Sequence, residues 1–158
     1  MKMKMKMKMK RAGFLSLIFS AVVLLSCATG HNTVSAQVDL LDFNFGTISN
    51  VMGYSGSPQL ADMDVRIFDA LFNTRLTMIG DREIRDLSDA ERASLLLISY
   101  SATVNSSQAV VAINFVDYLT GRPVASARGQ ASNWWGVEPT INSALNRAIT
   151  QVLKLFPN

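Results

Sequence analysis

The spacing of apolar positions gives its clearest signal at the C-terminus. In EPTINSALNRAITQVLKLF, Ile141, Leu145, Ala148, Ile149, Val152 and Phe156 form one broad stripe, while Asn142, Asn146, Arg147 and Gln151 fall away from it. This predicts a helix, with Lys154 in its last turn and Pro157 to stop it. SPQLADMDVRIFDALFN predicts a second helix. Ser57 suits the cap, Pro58 the first turn, and Met63, Ile67, Phe68, Leu71 and Phe72 share a face. Asp62 and Asp64 fall in its N-terminal half, where the helix dipole favours them.

Between these helices the period shortens to two. SLLLISYSATV and QAVVAINFVDYL are β-rich runs separated by Asn105-Ser106-Ser107, a hairpin signal. The first opens as a continuous apolar run, which predicts a central strand. In the second, Val111, Ile113 and Phe115 alternate with Ala112, Asn114 and Val116, which predicts one well-buried face. A Thr120-Gly121 turn and a further strand follow in TGRPVASARGQAS, with Pro123 near the strand start. Upstream, VDLLDFNFG predicts a strand with Leu40 or Leu41, Phe43 and Phe45 inward, and TISNVMGYSGS reads as a loop. RLTMIG predicts a short strand, and DREIRDLSDAERA one or two turns of surface helix.

The order is therefore β-α-β-β-β-β-α. It predicts an α+β fold: a mostly antiparallel sheet of about five strands, with two main helices on one face. A mixed sheet is expected because the first strand reaches the second through a helix.

The N-terminus follows other rules. MKMKMKMKMKR carries six basic residues and no acid, and AGFLSLIFSAVVLLS, residues 12–26, carries no charge. A cationic start, a short apolar run and small residues at its end are the three parts of a secretory signal. The run is shorter than the roughly 20 residues that span a bilayer. Leu24-Leu25-Ser26-Cys27 then resembles the bacterial lipobox, in which the cysteine is lipidated and becomes the mature N-terminus. Val34-Ser35-Ala36 before Gln37 is an alternative, an ordinary signal-peptidase site that would release a soluble product. Cys27 is the only cysteine, so no disulfide forms within the chain.

The expected organisation is a signal over 1–26, a lipidated Cys27 with a polar tether to residue 37, and one domain over 38–158. Removing the signal changes the charge. The whole chain is +3, but the nine basic and twelve acidic residues beyond position 11 leave −3. Nucleic-acid binding needs a basic face, and no run of cations remains to make one.

Three segments in order resemble the lipoprotein domain of the curli secretion pore subunit and of TolB-like proteins. These are VDLLDFNFG with its Asp42-Phe43 pair, VRIFDALFNTRLTMIGDREIRDL, and INFVDYLTGRPVASARG with Asp117 before the Thr120-Gly121 turn. A long amphipathic helix closes both. The resemblance implies a compact periplasmic lipoprotein of the penicillin-binding-protein-activator kind, one that binds protein or cell wall and is not an enzyme. The segments that build the curli pore's barrel are missing.

Catalytic signals are sparse. Gly53-Tyr54-Ser55-Gly56-Ser57 falls one residue short of a nucleophile elbow, and the sole histidine, His31, lies in the tether region. One histidine and one cysteine make no zinc or haem site, so no cofactor and no metal is expected. Asp81, Glu83, Asp86, Asp89 and Glu91 interleave with Arg82, Arg85 and Arg92, which reads as a solvated face with local ion pairs. Asp39 and Asp42 read as solvent-facing. In SNWWGVEP, Trp134 and Trp135 are adjacent, and in an extended segment they cannot both face the core. With Tyr54 they are the expected partner-binding residues, since exposed tryptophan marks binding surfaces and membrane interfaces.

The expectation is a non-enzymatic lipoprotein held by Cys27 to the outer membrane, facing the periplasm and docking an envelope protein or cell-wall component. Ala28 lacks the acidic residue that retains lipoproteins at the inner membrane in enteric-type sorting. A secreted or periplasmic hydrolase and a subunit of a homo-oligomeric envelope ring are the alternatives.

Overall fold

The computed structural model describes residues 29–36, 38–49, 58–79, 84–132 and 137–158. Six strands form one mixed sheet in the order β1-β6-β5-β4-β2-β3. They are β1 (Gly30–Val34), β2 (Phe45–Ile48), β3 (Thr77–Met78), β4 (Leu95–Val104), β5 (Gln108–Asp117) and β6 (Pro123–Ser132). The helices are α1 (Pro58–Phe72), the short α2 (Asp89–Ala93) and α3 (Val137–Leu155). The α+β class holds, and the sheet is mixed as expected. β4, β5, β6 and β1 pair antiparallel, whereas β2 lies parallel to both β4 and β3. Parallel neighbours need a crossover connection, and α1 lies between β2 and β3 in the chain to supply it.

The sheet has six strands rather than five because Gly30–Val34, read as tether, pairs with β6 from Gly30 opposite Gly129 to Val34 opposite Ala125. An edge strand with both faces near water needs no apolar alternation, so its polar sequence hid it. The predicted strand over 38–46 is also displaced. Leu40–Asp42 forms a 3-10 turn capped by Asp39, whose carboxylate accepts from the Leu41 N–H at 2.9 Å. The turn leaves Leu41 70% exposed and Phe43 buried, and the strand begins only at Phe45.

Burial follows the alternation in the long strands. Leu96, Ile98 and Tyr100 on β4, Ala109, Val111, Ile113 and Phe115 on β5, and Ala125, Ala127 and Ala131 on β6 face the helices. Met63, Ile67 and Leu71 of α1 and Ile141, Ala144, Leu145, Ala148 and Val152 of α3 close the core over them. Both helices lie on one face, and Arg66 of α1 joins them by donating to the amide oxygens of Asn142 at 2.6 Å and Asn146 at 2.5 Å. Phe72 departs from the predicted stripe. It is 55% exposed, with its ring edge-on to Phe68 at a centroid distance of 4.7 Å.

A close backbone approach fixes α3 on β6. A Cβ on Gly129 would lie 1.9 Å from the Ala144 carbonyl oxygen and 2.5 Å from the Ala148 nitrogen. At the other end of α3, Phe156 packs on Phe115 at 4.8 Å, with the Arg75 guanidinium 5.5 Å from its ring. Arg75 also donates to the carbonyls of Leu40 and of Phe43, the latter at 2.6 Å, and so ties the 3-10 turn to the core.

Candidate functional site

Strand directions decide which chain segments meet. β1 starts opposite the last residues of β6, and Gln108 at the start of β5 pairs with Ser132. β2 runs parallel to β4 but ends at Ile48 beside Ile98, well short of the end of β4, with the Ser49 N–H donating to the Ile98 carbonyl at 2.9 Å. One rim of the sheet, called here the upper rim, gathers the Asn105–Ser107 turn and Ser132, with Gly30 close below it opposite Gly129. The turn is self-capped: the Asn105 side-chain oxygen accepts from the Ser107 N–H at 2.9 Å and the Gln108 N–H at 2.8 Å.

Cys27, Tyr54, Trp134 and Trp135 lie outside the described residues. By sequence, Cys27 precedes Gly30 by three residues, Trp134 follows Ser132 by two, and Tyr54 falls between Ser49 and Pro58.

The ionisable candidates are separate from that rim or from one another. Asp39 caps a turn, and Asp39 and Asp42 are exposed. Ser88 and Glu91 form a capping box for α2. Arg92 pairs with Asp89 at 2.7 Å and Arg85 lies 3.9 Å from Asp86, as expected of a solvated face, while Asp81, Arg82 and Glu83 are outside the described residues. Asp117 organises the β5–β6 turn by accepting from the Leu119 N–H at 2.9 Å and the Thr120 hydroxyl at 2.5 Å, with Gly121 at φ +66°. His31 is exposed on β1 rather than in a tether. Among the described residues no cluster of three His, Cys, Asp or Glu could hold a metal ion. No described helix is long and apolar enough to cross a membrane.

The one strongly perturbed group is Tyr100. Burial, and then its hydrogen bond to the Asp64 carboxylate, hold its phenol protonated well above the usual range. The pair couples β4 to α1, with the Tyr100 ring buried and Asp64 on the exposed side of α1, so it acts as a structural link.

Sequence reading missed the sheet face opposite the two long helices. At the lower rim Ile79, Leu87 and Leu95 cover it with Phe45, Ile84 and Tyr118. Above that patch no described helix packs on it. Cross-strand rows there read Ser99–Asn114–Ser126, Ser101–Ala112–Arg128 and Thr103–Val110–Gln130. Ser126 donates to the Asn114 side-chain oxygen at 3.0 Å, and Gln130 to Gln108 at 2.5 Å. Between residues 95–116 and 123–132 the only charged residue is Arg128. That gap in charge was visible in the sequence and is the signal that could have marked the face.

No family model matches the chain, and no curated protein matches it. Among solved structures, the chain is similar to the PelC dodecamer from Paraburkholderia phytofirmans in two crystal forms. A point variant matches at 14% identity and TM-score 0.48, covering 81% of this chain and 96% of that one. The other form matches at 15% identity and TM-score 0.44, covering 82% and 97%. Both scores are low, and the architecture above rests on this chain's own strands and register.

Proposed function

We propose that the protein is a non-enzymatic lipoprotein, attached through Cys27 to the periplasmic face of the outer membrane, that docks and assembles envelope components. The observation that carries this reading is the register of β1. Gly30 sits close below the upper rim, three residues after the lipobox cysteine, so an acyl chain on Cys27 turns that rim toward the bilayer. Each buried CH₂ of the acyl chains contributes about 0.8 kcal/mol, and more than one chain makes the attachment stable. Ser132, the residue from which the sequence leads on to Trp134 and Trp135, is at the same end of the sheet, and we propose these amphipathic rings as the contacts there.

A second reading, a homo-oligomeric envelope subunit, is favoured by the edge strand β1. As an edge strand, β1 carries no Lys, Asp, Glu or Pro to guard it. The dodecamers of PelC belong to that protein; the oligomeric reading of this chain stands on its own sheet.

Trp134 and Trp135 are the chain's only tryptophans, so intrinsic fluorescence reports their segment alone. With lipidated protein in vesicles, brominated acyl chains should quench that fluorescence relative to ordinary lipids. Equal emission from both vesicles would place the rim away from the bilayer and contradict the orientation.

A further inference from the structure

We infer that the outward face of α1 is a docking surface for a basic amphipathic helix, one whose apolar stripe is edged by Lys or Arg. The inference rests on the docking half of the reading above and gives it a surface; it does not depend on the anchor.

α1 carries two apolar stripes where a helix laid on a sheet needs one. Met63, Ile67 and Leu71 are buried in the core. Val65, Phe68 and Phe72 recur at i, i+3 and i+7, and at 3.6 residues per turn they fall on the opposite side of the helix. Val65 is 57% and Phe72 55% exposed, and Phe68 is half-buried with its ring edge-on to Phe72. The other large exposed apolar side chains fall singly on separate elements: Val34 on β1, Leu41 in the 3-10 turn, Leu119 in the β5–β6 turn and Leu153 on α3. Single exposed apolar residues are ordinary, whereas a contiguous patch marks a contact surface. Steps of three and four residues are those by which one helix packs along another.

Charge decides the occupant. The same helical geometry puts Asp62 and Asp69 on one flank of the stripe and Asp64 on the other, all three exposed. Arg66 is the only basic residue of α1, and its guanidinium is held by Asn142 and Asn146 of α3. Among the described residues neither Asp62 nor Asp69 pairs with a cation. An apolar stripe between carboxylates is complementary to an apolar stripe between cations. A second copy presenting the same stripe would set carboxylate against carboxylate. A helix that lies on lipid carries Lys and Arg beside its apolar face, the reverse of this one. Beyond position 11 the chain has nine basic against twelve acidic residues, so the wider field also favours a cationic partner.

The test titrates two fluorescein-labelled helical peptides of about 18 residues, identical in their leucine stripe and flanked by Lys in one and by Glu in the other. Each is read by anisotropy against the native full chain and its Cys27→Ala variant. The Lys-flanked peptide should bind both proteins, less tightly as salt is added, and the Glu-flanked peptide neither. Phe72→Ser and Asp69→Lys should each weaken the complex about tenfold, while Leu119→Ser leaves it within about twofold. Phe72 and Asp69 are exposed, so both variants should keep the native thermal midpoint. Equal affinity for the two peptides, or unchanged binding in Phe72→Ser or Asp69→Lys, would overturn the proposal. So would a doubled mass in light scattering that Phe72→Ser halves, which gives the stripe to a second copy. Adsorption of the Cys27→Ala chain to phosphatidylglycerol vesicles, abolished by Phe72→Ser, would overturn it in favour of lipid. A native chain that carries lipid yet ignores the Lys-flanked peptide sinks the surface and leaves the anchor; one that binds the peptide but carries no lipid does the reverse.

Discussion

Gly129 illustrates how one residue fixes the relation of a helix to the sheet. Its missing side chain lets the α3 backbone at Ala144 and Ala148 come against β6, where any Cβ would collide with backbone atoms. Backbone cannot swing aside as a side-chain tip can, so α3 must lift. Gly129→Ala is expected to destabilise the fold by about 3 kcal/mol, read as a lower urea midpoint with an unchanged slope. A loss below about 0.5 kcal/mol would show that α3 tolerates the shift. Nothing in the sequence distinguished this glycine from the turn glycine Gly121. Close approach depends on the partner surface, which lies some fifteen residues further along the chain. Arg75 was equally silent, because its carbonyl partners on Leu40 and Phe43 come together only in three dimensions.

At the scale of elements, the Tyr100–Asp64 bond joins a central strand to α1. Tyr100 ionises at about pH 10 in the unfolded chain but well above that when folded, because burial and then Asp64 oppose the phenolate. The stability this group contributes is therefore whole below about pH 10 and is lost as pH rises beyond it, since the unfolded chain releases its proton first. Tyr100→Phe should flatten the fall in urea midpoint from about pH 10 to about pH 12 and change stability at pH 7 by about 1 kcal/mol. The same alkaline slope in both proteins would contradict that assignment. The helices and the three long strands were legible because each has a buried face with a regular period. β1 was not legible, being a polar edge strand held by backbone pairing. The strand drawn over 38–46 was misplaced because Asp39 caps a turn exactly where the apolar run suggested extension.

For the whole molecule, the consequence of that missed strand is orientation. Read as a tether, residues 28–37 would leave the domain free to turn under the proposed anchor; with Gly30–Val34 held in the sheet, the described chain enters the fold as an edge strand beside β6. The account as a whole depends on Cys27. The direct test is intact mass and membrane fractionation of the wild type beside Cys27→Ala in a Gram-negative host. The account predicts a mature form that begins at Cys27, carries acyl mass and fractionates with membranes, with all three lost in the variant. A soluble product that begins at Gln37 and is unchanged by the substitution would contradict it.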